Sequence, residues 1–260
     1  MTPDAPTPPT RPALDYLVVA LDMPSSRDAI EMATRLHGTV RWVKVGLELY
    51  VAAGPSIVSD LRRLGFEVFL DLKFHDIPNT VAGASAAAAR TGAGIVNVHA
   101  GGGIDMMKAA LLGAARGAKE GGTAPPKILA VTVLTSLTGL ELPGYYQSRP
   151  MGERVVYLAE STREAGLDGV VCSPKEIEIL RAVVGPGFLL LTPGLRFADG
   201  DPDDQKRVAT PHDAARAGSD YLVMGRPSTG AADPTAAAAR AILSIQGGLA
   251  ARATSEKNPY

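Results

Sequence analysis

Short, continuous apolar runs alternate along the chain with longer stretches of helical texture. The runs are DYLVVALD (15–22), RWVKVGLEL (41–49), FEVFLDLKF (66–74), AGIVNVHA (93–100), KILAVTVLT (127–135), LDGVVCS (167–173), FLLLTPG (188–194) and DYLVMGR (220–226). Between and after them lie SSRDAIEMATRLHG, GPSIVSDLRRLG, NTVAGASAAAARTG, GIDMMKAALLGAARGAKEGG, MGERVVYLAESTREAG, PKEIEILRAVVG, TPHDAARAGS and PTAAAARAILSIQ. The runs do not alternate apolar with polar positions, which is the pattern of parallel strands covered on both faces. Strand followed by helix, repeated, predicts βαβ units. Eight of each predict an α/β fold of one domain, a closed (β/α)8 TIM barrel, for which roughly 250 residues is typical. An open doubly wound sheet is the alternative, but it expects a glycine-rich turn after the first strand, where this chain reads LDMPSSRD.

The barrel is expected to occupy 14–247. Residues 1–13, rich in Pro and Thr and without an apolar core, read as a disordered tail rather than a secretory signal. Residues 248–260 read as a second loose end. A net charge of -1 from 26 basic and 27 acidic residues gives no reason to expect nucleic acid or a membrane surface as partner. No run of 18 apolar residues exists to span a membrane. The single cysteine, Cys172, excludes an internal disulfide, fits a reducing cytoplasmic compartment, and reads as a small buried hydrophobe. Trp42 is assigned to packing on the outer face of the sheet, and Met106 and Met107 to the core.

Barrels of this kind carry their active sites at the C-terminal ends of the strands. Those ends hold Asp22, Lys44, Asp71 with Lys73, Asn97 with His99, Thr135, Ser173, Arg196, and Gly225 with Arg226. The third strand runs into DLKFHDIPNT (71–80), which places two acids and a lysine within six positions. Residues i and i+2 of a strand share a face, so Asp71 and Lys73 are expected to point together into the barrel mouth. Lys44 on the neighbouring strand would extend an alternation of acids and cations, and Asp76 would reinforce it. His99 has no cluster of ligands around it, so no metal is expected there.

A second cluster follows strands seven and eight. The segment PGLRFADGDPDDQKRVATP (193–211) is long and polar for a βα loop and reads as a mobile lid, with Arg196 at its base and Gln205 inside it. Strand eight ends in Gly225-Arg226. Two arginines and a glycine whose backbone an anion can approach are suited to a phosphate dianion, in the part of the barrel where phosphate is often held.

DLKFHDIPNT matches the D-x-K-x-x-D-I-x-N-T pattern of the bacterial orotidine 5'-phosphate decarboxylases. LD at Asp22, KVG at Lys44, LTS at Thr135, PGLR at Arg196, DQ at Gln205 and GRP at Arg226 stand in that family's order. The resemblance covers roughly residues 14–245 and implies an enzyme. It would convert orotidine 5'-monophosphate to uridine 5'-monophosphate and CO2 in pyrimidine biosynthesis, without metal or organic cofactor, as a homodimer with shared active sites. It implies that Lys73 protonates the ring and that Asp71 lies beside the departing carboxylate. Asp22 and Lys44 would serve the ribose and the charge network, and Asp76 and Thr80 would reach the partner subunit's substrate. Thr135 would meet the pyrimidine, and Arg196, Gln205, Gly225 and Arg226 the phosphate. Two rivals remain at this point. One is a magnesium-dependent phosphosugar decarboxylase on the same barrel, which shares D-x-K-x-x-D but carries a glutamate on strand two. The other is a non-catalytic nucleotide-binding barrel, which would need no Asp71/Lys73 pair.

Overall fold

The structure, a computed structural model, describes residues 11–137, 150–199 and 209–257. Eight parallel strands follow one another in chain order and close into a barrel, β8 pairing with β1. They are β1 (Leu17–Ala20), β2 (Trp42–Gly46), β3 (Glu67–Phe74), β4 (Ile95–His99), β5 (Lys127–Val131), β6 (Gly169–Val171), β7 (Leu189–Thr192) and β8 (Tyr221–Met224). Around them stand α1 (Ser26–Leu36), α2 (Leu47–Ala53), α3 (Ser56–Arg63), α4 (Pro78–Arg90), α5 (Ile104–Gly121), α6 (Met151–Glu164), α7 (Ile177–Val184), α8 (Pro211–Ala217), α9 (Arg226–Thr229) and α10 (Pro234–Lys257). The single (β/α)8 barrel expected from the alternating texture is the observed fold.

Two separate apolar clusters explain why the strands are apolar on both faces. The larger joins outward strand residues such as Leu17, Val43, Val68, Val96 and Leu222 to the helices. The smaller fills the barrel itself with Val18, Ala20, Trp42, Phe69, Ile95, Leu129, Val171, Leu191, Tyr221 and Val223. Alternate residues share a face, so each inward column can be followed upward from this plug. β1 continues to Asp22, β2 from Trp42 to Lys44 and Gly46, β3 from Phe69 to Asp71, and β4 from Ile95 to Asn97 and His99. The barrel is an apolar plug with a polar mouth.

Some local expectations are corrected. Strand two does not extend to Leu49: β2 stops at Gly46 and the chain turns into α2, which puts Glu48 on an exposed helical turn. Trp42 is not on the outer face. It is in phase with Lys44, points into the barrel, and meets the Tyr221 ring edge-on at 5.4 Å. Arg11, inside the expected tail, is held: its guanidinium stacks over the rings of Tyr16 and Tyr221 at 4.4 and 4.3 Å. The C-terminal segment is not a loose end from 248. α10 runs on to Lys257, helped by the good helix formers of LAARA. It also packs tightly, since a Cβ on Gly248 would lie 2.2 Å from the His212 carbonyl oxygen of α8.

The alanine-rich texture has a similar cause. A Cβ on Gly113 or Gly117 of α5 would fall 2.1 Å from the carbonyl oxygen of Ala82 or Ala86 on α4, so these helices meet backbone to backbone. Met106, Met107 and Cys172 are buried as expected. Burial pushes the Cys172 thiol up, away from reactivity. Among the described residues no helix is long and apolar enough to cross a membrane.

Candidate active site

A cleft of about 420 Å³ opens at the C-terminal end of the barrel. It is floored by Ala20, Phe69 and Val223 of the barrel plug and walled by polar groups from many strands. Asp22, Lys44, Asp71, Lys73, Thr135, Arg196, Gly225 and Arg226 all line it. Its size suits a small-molecule ligand, for which roughly 300–1,000 Å³ is usual.

One wall is a chain of alternating charges. Lys44 Nζ lies 2.7 Å from Asp22 Oδ1 and 3.4 Å from Asp71 Oδ2. Lys73 Nζ donates to Asp71 Oδ1 at 2.6 Å. Asp71 thus accepts from one lysine on each side. Burial pushes its carboxyl up, but the Lys44 and Lys73 charges, with hydrogen bonds from Lys73 and Asn97, outweigh burial and hold it below the ordinary range. Burial likewise pushes the Lys44 ammonium down. The Asp71 and Asp22 charges more than reverse this, and the net direction is up. Asp71 is therefore ionised and Lys44 charged at neutral pH.

Gly46 makes room for this arrangement. It shares the inward face of β2 with Lys44, and a Cβ there would lie 2.9 Å from Lys44 Nζ and 3.1 Å from Asp22 Oδ1. The missing side chain is what lets the two charges meet.

The Asp71–Lys73 contact is as expected, but it is not built by regular strand geometry. β3 pairs with β4 as Leu70↔Val96 and then as Phe74↔Val98, so three residues of β3 face Asn97 alone. Within this bulge Lys73 has φ 53, the only non-glycine residue with positive φ among those described. Such a left-handed backbone costs an L-residue on the order of 1–2 kcal/mol. The Lys73 amide donates to Asn97 Oδ1 at 2.8 Å, and Asn97 Nδ2 donates to Asp71 Oδ1 at 2.7 Å. Asn97 stands among the strand-end residues in the sequence, yet nothing there marks it as part of the Asp71–Lys73 unit. The signal is the irregular pairing, which only the structure carries.

His99, next on the same face of β4, packs its ring against His75 at 5.3 Å between centroids. Burial, then the His75 and Lys73 charges, bring its pKa down to about 4, so it is neutral at pH 7. No group of three His, Cys, Asp or Glu among the described residues is arranged to hold a metal ion.

Not every expected residue joins the cleft. Asp76 and Thr80 are exposed on the rim and do not line it. Asp76 Oδ1 accepts instead from the neighbouring Ile77 amide at 2.7 Å. Gln205 lies outside the described residues, with 200–208 of the expected lid. The ends of that segment are pinned, because Leu195 bridges to Ala209 and the Arg196 amide donates to the Ala209 carbonyl.

Comparison with known proteins gives the family. The sequence profile of the Orotidine 5'-phosphate decarboxylase / HUMPS family matches residues 15–241. A relative from Nitratidesulfovibrio vulgaris (strain DP4), named orotidine 5'-phosphate decarboxylase, is 56% identical over 228 residues, 87% of this chain and 95% of its own. One of the same name from Laribacter hongkongensis is 47% identical over 254 residues, covering 97% of this chain and all of its own. The crystal structure of orotidine 5'-phosphate decarboxylase from Lactobacillus acidophilus superposes with a TM-score of 0.79 at 39% identity, over 90% of this chain and 99% of that one. With its barrel, its charged wall and these relatives taken together, the chain belongs to the orotidine 5'-phosphate decarboxylase / HUMPS family.

Proposed function

We propose that this protein decarboxylates orotidine 5'-monophosphate to uridine 5'-monophosphate and CO2, and that the residues lining the cleft do the work. The observation that carries this reading is the Asp22–Lys44–Asp71–Lys73 chain, buried at Lys44 and Asp71, sharing one cleft with Arg196 and Arg226.

The chemistry asks for such an array. When the bond from ring carbon 6 to the carboxylate breaks, its electron pair stays on carbon 6 and CO2 departs. That carbon is sp2 and has no ring system into which the pair delocalises readily. A fixed ammonium stabilises the growing negative charge and then delivers a proton to it. Lys73 has that role, and water returns the proton to its amine afterwards. Asp71, kept ionised by Lys44 and Lys73, faces the substrate carboxylate and favours its loss as neutral CO2. Asp22 and Lys44 hold Asp71 in place and bind the ribose hydroxyls, while Thr135 meets the pyrimidine edge. Arg226, Arg196, the Gly225 backbone and Gln205 take the phosphate. Its binding energy, made far from the reacting carbon, orders the site around the substrate.

This arrangement leaves little place for the magnesium chemistry of a phosphosugar enzyme. The Lys44 ammonium already stands between Asp22 and Asp71, where a divalent cation would need acidic ligands. Glu48, the acid near the end of strand two, is on exposed α2.

The homodimer belongs to the same proposal. Asp76 and Thr80 sit on an exposed rim with Ile77, 67% exposed, at its edge. Leu47 and Val51 of α2 are also exposed large apolar residues. A second copy covering these residues would bring Asp76 and Thr80 to the partner's cleft. A cytoplasmic location fits the substrate and the single buried thiol.

The test is direct. Purified protein in excess EDTA is mixed with orotidine 5'-monophosphate and the orotate absorbance is followed. Rapid loss with formation of uridine 5'-monophosphate is expected. Turnover that appears only with added magnesium, and only on a phosphosugar, would overturn the reading.

Gly46→Ala probes the charged wall separately. The added methyl must push aside the flexible end of Lys44, so the barrel should stay folded while the ammonium leaves its place between Asp22 and Asp71. A fall in kcat of about tenfold is expected, with an unchanged circular dichroism spectrum. Wild-type kcat would show that the position of Lys44 does not matter.

A further inference from the structure

We propose that Asn97 is a positioning residue of the decarboxylation, acting through both Asp71 and Lys73. The inference rests on the decarboxylase reading above and adds to it the device that aims the proton donor.

Asn97 is fully buried, on the inward face of β4 above Ile95, and pairs in register with Leu129 of β5. It stands alone opposite three residues of β3. At such a bulge the regular ladder cannot satisfy every backbone group, and a buried amide left without a partner is costly. The Asn97 carboxamide takes over that function, accepting from the Lys73 amide at 2.8 Å. Its other end donates to Asp71 Oδ1 at 2.7 Å. The orientation of the carboxamide follows from its partners. An ionised carboxylate only accepts and a backbone N–H only donates, so the nitrogen faces Asp71 and the oxygen faces Lys73.

One rigid group therefore ties the backbone of the proton donor to the carboxylate that must stay ionised. The same Asp71 oxygen receives Lys73 Nζ at 2.6 Å. Asn97, Asp71 and Lys73 close a small ring of contacts around a lysine whose φ of 53 is unfavourable and must be held by its surroundings. Nearby replacements lose one contact or both. Aspartate would set a second negative charge against Asp71, leucine would make neither hydrogen bond, and serine is too short to span them.

The test compares wild type with Asn97→Ala and with Asn97→Leu, which keeps the volume and so guards against collapse of the site. In both variants kcat should fall about 30-fold or more, because the ammonium loses its aim. The dissociation constant for uridine 5'-monophosphate should stay within about threefold, since the phosphate and ribose contacts are elsewhere. The acid limb of the kcat–pH profile should move up, because Asp71 loses a hydrogen bond that favours its ionised form. A purely structural asparagine would lower thermal stability and leave that limb in place, and that result would overturn the proposal. So would a kcat within about threefold of wild type.

If wild type itself failed to turn over the nucleotide, the decarboxylase reading would fall, and the clamp would be judged by 13C NMR titration of the Asp71 carboxyl. A carboxyl that titrates higher in the variants supports the clamp, and one that titrates identically refutes it.

Discussion

Lys73→Ala is expected to lower the turnover of orotidine 5'-monophosphate by about 10⁴-fold or more while leaving the barrel folded. The variant removes the ammonium proposed to meet the developing charge at carbon 6, the one that donates to Asp71 Oδ1 at 2.6 Å. The fold should survive because the Lys73 side chain is 30% exposed and belongs to neither apolar cluster. Asp71 keeps its contacts to Lys44 and Asn97. Lys73→Gly sharpens the test. It should be equally inactive yet more stable than Lys73→Ala by about 1 kcal/mol, because glycine adopts the positive φ at this position without steric cost. Turnover within about tenfold of wild type in either variant would remove Lys73 from the role of proton donor.

Arg226→Ala carries the second large effect. It should reduce kcat/KM for the nucleotide by about 10²-fold, the scale of a lost charge-assisted contact to a phosphate. The same change should have little effect on the phosphate-free nucleoside orotidine. Arg226 opens the short helix α9, directly after Gly225 at the end of β8, and lines the cleft shared with the charged wall. With Arg226 in the phosphate-binding role proposed above, binding and chemistry fall to different groups, so the two should separate in kinetics. Equal losses on both substrates would mean that Arg226 acts on the reacting centre or on the fold instead.

The parts of this account legible in the sequence are those with a simple periodicity. Apolar runs without alternation announced parallel strands covered on both faces, and eight of them closed the barrel. The i, i+2 rule brought Asp71 and Lys73 together, but the actual path is a bulge with Lys73 in the left-handed region. An irregularity of pairing depends on the facing strand, so no local pattern in DLKFHDIPNT reveals it. For the same reason Asn97 reads as one more strand-end polar residue until its two hydrogen bonds are seen. LEL continues the apolar texture of strand two beyond its true end, while the backbone turns at Gly46 into a helix. Both faces of β2 are apolar, so nothing in RWVKVG marks the face of Trp42; its phase with Lys44 puts it within the barrel. The C-terminal helix ran past its expected end because packing against α8 is a tertiary contact. Asp76 and Thr80 lie on an exposed rim apart from the cleft.

The most direct test of the site is a crystal structure of the protein with uridine 5'-monophosphate bound. The account predicts ring carbon 6 within about 3–3.5 Å of Lys73 Nζ, the phosphate on Arg226 and the Gly225 backbone, and Asp76 of a second copy approaching the same ligand. A nucleotide whose carbon 6 faces away from Lys73, or whose phosphate sits against Lys44, would contradict it.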